Sequence, residues 1–445
     1  MEDKRLKIIM YPWLAMGHLT SFLHISNKLA ERGHRIWFLL PPKTQPKLEQ
    51  FNLHPQLITF IPLSIPHLQG LPAGAETTAD VPFHLHKLLR RAMDLTQPAI
   101  EHLLHQLKPH FIFFDFTPWL PALARRFDVK SIHYCTISPA AVAYMIRDES
   151  SADAFMEPPP GFPSSAIKLR DHEARALLRV NKSTEFDGAT TFVQRMLACL
   201  EECDALGFRS CREMEGRYCD FLEKKFEKPV MLAGFVVPEA PSSSLDEKWR
   251  KWLDQFDAKS VVYCAFGSEA RLRKDEFEQV VLGLELTGLP FLAALKAETV
   301  EEEGVGAVGF GERRGRGVVV EGWVQQQLIL KHPSVGCFVT HCGSGSLSEG
   351  MVSECGMVAA AHGGDQVINA RMAAGEWRVG AEAGRDEKGL LRKEGVAEAV
   401  KVVMGMGEGS EMRANHGKWR ELLLGKGFED SYMDGFVRDL LLLLH

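Results

Sequence analysis

Short, wholly apolar runs alternate along the chain with longer stretches whose apolar positions recur every three or four residues. Residues 6–10, 35–40, 111–114 and 132–134 are runs of the first kind, and their length and apolarity predict strands buried on both faces. Residues 21–32 carry a helical period that stops at Gly33. The pattern starts again after residue 245. Residues 261–265, 318–320, 335–340 and 357–361 read as strands, and 274–285 as a helix with Phe277, Val280, Val281 and Leu284 on one face. Strand and helix in alternation predict a parallel sheet covered on both sides. Residues 234–245 contain Val237-Pro-Glu-Ala-Pro-Ser-Ser-Ser, a linker by composition, and the Gly- and Glu-rich residues 301–317 read as a mobile loop. The expected fold is therefore α/β: two doubly wound domains, with a cleft between two sets of strand C-terminal ends, where ligands of such sheets bind.

Composition narrows the function. A chain of 445 residues with 45% hydrophobic and 25% charged residues can bury a core in each half. The net charge of −6 gives no basic surface for nucleic acid or an anionic membrane. No run approaches the ~20 apolar residues of a membrane span, and the first apolar run, broken by Pro12 and Gly17, makes a poor secretory leader. Residues 440–444 read as the end of a docked helix. Nine cysteines are scattered without paired spacing. The group Cys199, Cys203, Cys211 and Cys219 fits no zinc pattern, so reduced thiols and a cytoplasmic location are expected.

The strongest local signal runs from Val335 to Gly350: a strand, a Gly/Ser-rich turn, then a helix. The free N–H groups and dipole of a helix start suit a diphosphate. Gly343 and Gly345 would admit the phosphates closely, and Ser344 and Ser346 add hydroxyl donors. This turn alone leaves a dinucleotide oxidoreductase open, because Asp365 follows Gly345 at the spacing where such folds place a ribose-binding acid.

The wider stretch from Trp323 to Gln366 resembles, position by position, the signature box of plant secondary-product UDP-glycosyltransferases. It opens with Trp323-Val-Gln-Gln326, runs through His332-Pro, Gly336, Phe338, His341-Cys-Gly343, Ser346 and Glu349, and closes with Asp365-Gln366. Phe266-Gly-Ser268, Gly17-His18 and Asp115 extend the likeness over the full length. Within that family, Thr340-His-Cys-Gly-Ser-Gly-Ser-Leu-Ser-Glu349 resembles the enzymes that add a sugar to a sugar already on a flavonoid or similar aglycone.

The resemblance implies the GT-B architecture of two Rossmann-like domains. Residues 1–233 would bind the acceptor, 234–245 link, and 246–427 bind the UDP-sugar, with 428–445 crossing back onto the first domain. It also implies roles. Trp323 would stack on uracil while the Val324 backbone reads its edge. Gln326 and Glu349 would hold the ribose. His341, Ser346, Ser268 and the Gly343–Ser344–Gly345 backbone would hold the diphosphate, and Asp365 and Gln366 the donor sugar. Each role fits the residue: an indole gives a flat face, a carboxylate accepts hydroxyl protons, and N–H and O–H donors suit phosphate.

Transfer also needs a base. His18, just after the first strand, and Asp115, just after a very apolar one, both stand at strand C-terminal ends. Imidazole can take a proton near neutral pH, and a buried carboxylate on its far nitrogen fixes the tautomer. His24 and His34 lie on or beyond the first helix and are poorer candidates. Phe114, Phe116, Trp119 and Met145 are candidate acceptor wall, with Thr136 and Ser138 for acceptor hydroxyls. No acidic pair stands beside the diphosphate turn, so no metal or other cofactor is expected. The expected partners are a small-molecule glycoside acceptor and a UDP-sugar, acting on a monomer. The likeness has departures: Ala361 stands where the family usually has proline, Ser21 replaces a frequent proline, and Gly345 and Gly356 replace larger residues. With Gly363-Gly364, the approach to Asp365 is expected to be loose, at roughly 0.5–1 kcal/mol per glycine.

Overall fold

The computed structural model describes residues 5–235, 244–267, 270–298, 312–313 and 316–445. Ser268, most of the proposed linker and most of the 301–317 stretch lie outside the described residues.

Two seven-stranded sheets organise the chain. The first takes β1 (Lys7–Tyr11), β2 (Arg35–Leu40), β3 (Ile58–Pro62), β4 (Phe111–Phe114), β5 (Lys130–Cys135), β6 (Ala205–Phe208) and β7 (Val230–Leu232) in the order β3-β2-β1-β4-β5-β6-β7, all parallel. The second takes β8 (Val261–Ala265), β9 (Phe291–Ala294), β10 (Glu312–Arg313), β11 (Gly317–Val320), β12 (Val335–Thr340), β13 (Gly356–Ala359) and β14 (Gly380–Glu382) in the order β10-β11-β9-β8-β12-β13-β14. Only the edge pair β10–β11 is antiparallel among the described pairings. Each sheet thus reverses its winding once: between β1 and β4, and between β8 and β12. At such a point adjacent strands lead to helices on opposite faces, and a crevice opens beyond their C-terminal ends.

The cores follow from the runs. Phe111, Ile112, Phe113 and Phe114 are all fully buried, with alternate residues on opposite faces of the first sheet. One face meets the helix Met16–Glu31 through Phe22, Leu23 and Ile25. The last helix, Phe428–Leu443, reaches the same face, burying Met433, Phe436 and Leu440, with Phe436 against Phe113 of β4 and Gly207 of β6. The opposite face continues without a break into residues of the second half, among them Cys342, Leu347, Met351 and Val367. The helix Lys274–Leu286 buries the expected Phe277, Val280, Val281 and Leu284. All nine cysteines are buried and unpaired, and burial raises the Cys199 and Cys203 thiols above their usual range. No helix among the described residues is long and apolar enough to cross a membrane.

The first helix is a correction. It begins at Met16, five residues before the expected start, so His18 sits in a helical turn and not in a loop. No side chain caps it at Ala15, and Gly17, which reads as a breaker, lies in its first turn with open space around it.

Candidate active site

Both reversal points carry the expected residues. At the first, Tyr11 of β1 pairs in register with Phe114 of β4, so the segments leaving these strands run side by side. His18 leaves one and Asp115 the other. His18 Nδ1 lies 2.5 Å from Asp115 Oδ2. The second carboxylate oxygen accepts from the Trp13 backbone N–H. Asp115 is 2% exposed, and burial raises its carboxyl pKa, opposed mainly by His18. A carboxylate placed there is costly unless paired, and here both oxygens are used. Since Asp115 takes Nδ1, the Nε2 atom is left for a substrate proton.

The neighbours of His18 fix its ring. Phe116 meets it edge-on at 5.4 Å between centroids and stacks on Trp13 at 5.2 Å. Phe116 has φ 54°, a left-handed conformation costly for a bulky residue. Arg195 holds it there, donating to the Phe116 carbonyl at 2.7 Å while paired with Asp94. Thr136 Oγ1 lies 3.1 Å and 3.3 Å from the two ring nitrogens, so it touches the histidine itself. Trp119 is half-buried and donates to Asp94. Phe114 is fully buried, which removes it from any acceptor wall. Ser138 caps the helix Pro139–Met145, accepting from the Ala141 N–H, and its own hydroxyl donates across the cleft to Asn369 at 2.9 Å. Met145 lines a cavity of about 70 Å³ with Leu177, His172, Gly364, Val367 and Arg385.

At the second reversal, β12 ends at Thr340 beside Ala265 of β8. His341 follows, 9% exposed, and Cys342 turns the backbone at φ 60°. Gly343 is required here: a Cβ would stand 2.4 Å from His341 Nε2. The helix Ser344–Val352 then starts, with Gly343 as its N-cap and no side chain capping it. Two buried polar atoms make no hydrogen bond, His341 Nδ1 and Ser344 Oγ. Burial pushes the His341 pKa down to about 4, so it is a neutral donor or acceptor at physiological pH. These donors fit an anion that has yet to arrive.

The flanking residues fall into place around this turn. Trp323 is 73% exposed, an unusual state for an indole and a free flat face. Val324 is buried. Gln326 donates to Glu349 at 2.6 Å and to Ser346 at 3.2 Å, and accepts from Tyr263 at 3.1 Å. Burial raises the Glu349 pKa, with Gln326 opposing. His332 bridges Ser334 and Asp254 and serves the turn alone.

Asp365 opens the helix Asp365–Arg371. Burial raises its pKa to about 6, and His18 is among the groups that lower it, so the two sides of the cleft feel each other. The loop before it is held more tightly than its glycines suggest. Gly364 has φ 58°, which favours glycine, so it is a conformational need and not slack. Arg385 donates to the Ala361 carbonyl, Gln366 Oε1 accepts from the His362 N–H at 2.9 Å, and His362 lies 3.2 Å from Glu276.

Several contributors escaped the sequence reading. Trp13, Asp94, Arg195 and Arg385 act through contacts between distant segments. Asn369 alone had a local signal: it lies four residues after Asp365, on the same helix face. It donates to the Cys342 carbonyl at 2.9 Å and to Asp365 at 3.3 Å, joining both loops to Ser138.

Comparison with known proteins agrees with this geometry. The family model described as UDP-glucoronosyl and UDP-glucosyl transferase matches residues 219–409. The chain is 53% identical to cyanidin 3-O-galactoside 2''-O-xylosyltransferase FGGT1 of Actinidia chinensis var. chinensis, over 97% of each protein. It is 48% identical to an anthocyanidin 3-O-glucoside 2''-O-glucosyltransferase of Ipomoea purpurea, over 97% of this chain and 96% of the other. The fold matches Glycyrrhiza uralensis UGT73P12, solved with glycyrrhetinic acid 3-O-monoglucuronide, at a TM-score of 0.81 and 21% identity, over 99% and 96% of the two chains. The chain belongs to the plant UDP-glycosyltransferases and is a UDP-dependent glycosyltransferase of the GT-B fold.

Proposed function

We propose that the enzyme extends a flavonoid-type glycoside, moving a sugar from a UDP-sugar to a hydroxyl of the sugar already attached. The observation that carries this is the 53% identity, over 97% of the chain, to a protein named for transfer to the 2''-oxygen of a cyanidin galactoside. Relatives at 48% and 44% carry names of the same kind. The first half, residues 1–233 with 428–445, binds the acceptor, and 246–427 the donor. His18 Nε2 takes the acceptor hydroxyl's proton as that oxygen attacks the anomeric carbon. The bond from that carbon to the diphosphate oxygen breaks on the opposite side, so the configuration inverts. Asp115 holds the imidazolium that forms. Thr136 and Phe116 fix the ring, and Trp119 and Met145 belong to the acceptor wall. Trp323, Val324, Gln326 and Glu349 hold the uridine, and Asp365 and Gln366 the donor sugar. His341, Ser344, Ser346 and the helix amides hold the diphosphate, and the family likeness assigns Ser268 to the same group.

Those donors meet the leaving group's charge without a divalent ion. Rates in EDTA should equal those with magnesium; a large loss restored by one metal overturns this. We also place the enzyme in the cytoplasm as a monomer, nine buried unpaired thiols suiting a reducing compartment.

The acceptor reading is tested by presenting UDP-sugars with cyanidin 3-O-monoglycosides and with free cyanidin. Without the first sugar the reacting hydroxyl is lost and polar groups meant for it go unpaired, so kcat/KM on the aglycone should be lower by at least about 10²-fold. Equal turnover of the two acceptors sinks the proposal.

A further inference from the structure

Strand β6 ends at Phe208, and the next residue reaches from the first half of the chain into the second. Arg209 Nη2 donates to the Ser344 carbonyl at 2.9 Å and to the Ser348 hydroxyl at 2.8 Å, both on the first turn and a half of helix Ser344–Val352. Ser348 donates to the same carbonyl at 2.8 Å, closing a small network. A guanidinium is thereby laid against the positive end of a helix dipole, the end that favours anions. Burial disfavours its charged form; Tyr134 and Glu349 oppose this, but neither acid forms an ion pair with it. Arg385 is held in the same way, donating to the Gly389 and Ala361 carbonyls, but most withdrawn arginines have a carboxylate partner. Arg90 pairs with Glu185 at 2.7 Å, Arg195 with Asp94 at 2.6 Å and Arg371 with Glu173 at 2.9 Å. Beside Arg209's helix, His341 Nδ1 and Ser344 Oγ are buried and unbonded. A cation and two idle polar atoms around one helix start form a place short of negative charge.

We propose that Arg209 balances the diphosphate of UDP from the acceptor half of the molecule, acting through the first turn of helix Ser344–Val352 and without touching the phosphates. It is a positioning residue, and the species it favours is a nucleoside diphosphate; a neutral nucleoside gains nothing from it. Because its side chain crosses between the halves, donor binding and their seating on each other are one event. This rests on the reading that the diphosphate sits at the start of that helix.

Titration calorimetry with UDP and with uridine separates this role from a structural one. Arg209→Met should weaken UDP by roughly tenfold, the size expected for a unit charge several ångströms away in a partly buried interface, and leave uridine unchanged. Arg209→Lys, which keeps the charge, should recover most of the loss. Ser348→Ala removes one of Arg209's two anchors and should lower the ratio of UDP to uridine affinity less strongly; it decides the matter if Arg209→Met does not fold. Equal weakening of both ligands, or an unchanged ratio in all three variants, overturns the proposal. His341→Ala distinguishes the two levels of failure. If it also leaves UDP affinity unchanged, the diphosphate does not sit at this helix. If it weakens UDP while Arg209→Met does not, only the role of Arg209 falls.

Discussion

The two sheets reverse their winding in the same way and build opposite kinds of site there. At the β1/β4 reversal the catalytic pair is fully engaged: Asp115 has both oxygens bonded, and Arg195 and Thr136 brace the ring and the turn beside it. At the β8/β12 reversal, buried His341 Nδ1 and Ser344 Oγ have no partner. Both loops use a left-handed residue just past the key side chain, Phe116 after Asp115 and Cys342 after His341. The difference lies in what each site awaits. A base must be oriented before its substrate arrives, so its hydrogen bonds are made within the fold. A site for a diphosphate must keep donors unspent, and pays in stability for doing so.

The comparison breaks most sharply at His18. His18→Ala should lower kcat by about 10²–10⁴-fold, with UDP affinity unchanged. Asp115→Asn should lose activity with its melting temperature retained, since it removes a buried charge. In His18→Ala the Asp115 carboxylate loses its main compensation, which raises its folded-state pKa further. A raised carboxyl pKa means that stability falls as pH rises. The alanine variant should therefore be more destabilised at pH 8 than at pH 5. Full turnover in His18→Ala removes the residue from the mechanism.

The second site should respond the other way. Ser344→Ala removes a hydroxyl that is unbonded in the free enzyme and should not lower its melting temperature, whereas His341→Ala also removes a buried ring bonded to the Ala265 backbone and should lower it. Each should weaken UDP by about tenfold or more, since hydrogen bonds to charged groups contribute about 1.5–3 kcal/mol. Thermal melts with and without UDP read both effects: the wild type should gain far more from the ligand than either variant. A variant destabilised without ligand, but stabilised by UDP as much as the wild type, contradicts the contrast.

How much of this the sequence displayed depends on distance along the chain. Strands β2, β4, β8 and β12 have the bounds their apolar runs predict, because a run buried on both faces leaves no ambiguity. Val230–Leu232 and Gly380–Glu382 are three residues long, and Ala205–Phe208 contains a glycine; no periodicity can be read from so little. The start of the first helix cannot be read from the sequence, because nothing caps it and Gly17 imitates a turn. In the site, His18, Asp115, His341 and Asp365 were legible because each directly follows a strand or heads a helix within a local motif. Trp13 reaches Asp115 across 102 positions and Arg209 reaches Ser344 across 135, through backbone groups that every residue possesses. Local spacing carries no trace of such partners.

The smallest effect sharpens the contrast inside one residue. Asp365 belongs to the donor side, yet its carboxyl is caught between the two kinds of site. Asn369 donates to it at 3.3 Å, while burial pushes its pKa up to about 6, from an ordinary value of 3.8. Below 3.8 the folded and unfolded chains both carry the proton, and the group contributes nothing. Between 3.8 and 6 the folded chain holds the proton that the unfolded chain has lost, so stability falls as pH rises. Above about 6 the full cost of the buried charge is present. Asp365→Asn removes that charge and should raise the melting temperature at pH 7.5, with the gain shrinking as pH falls toward 4. The same change should raise the KM for UDP-sugar while leaving free UDP binding untouched, because on the proposed reading the lost carboxylate faces the sugar and not the uridine. In the wild type, donor KM should climb as pH drops through about 6, for the same reason. A gain in stability that is equal at every pH, or a loss of UDP affinity matching that for UDP-sugar, would place the charge of Asp365 outside donor recognition.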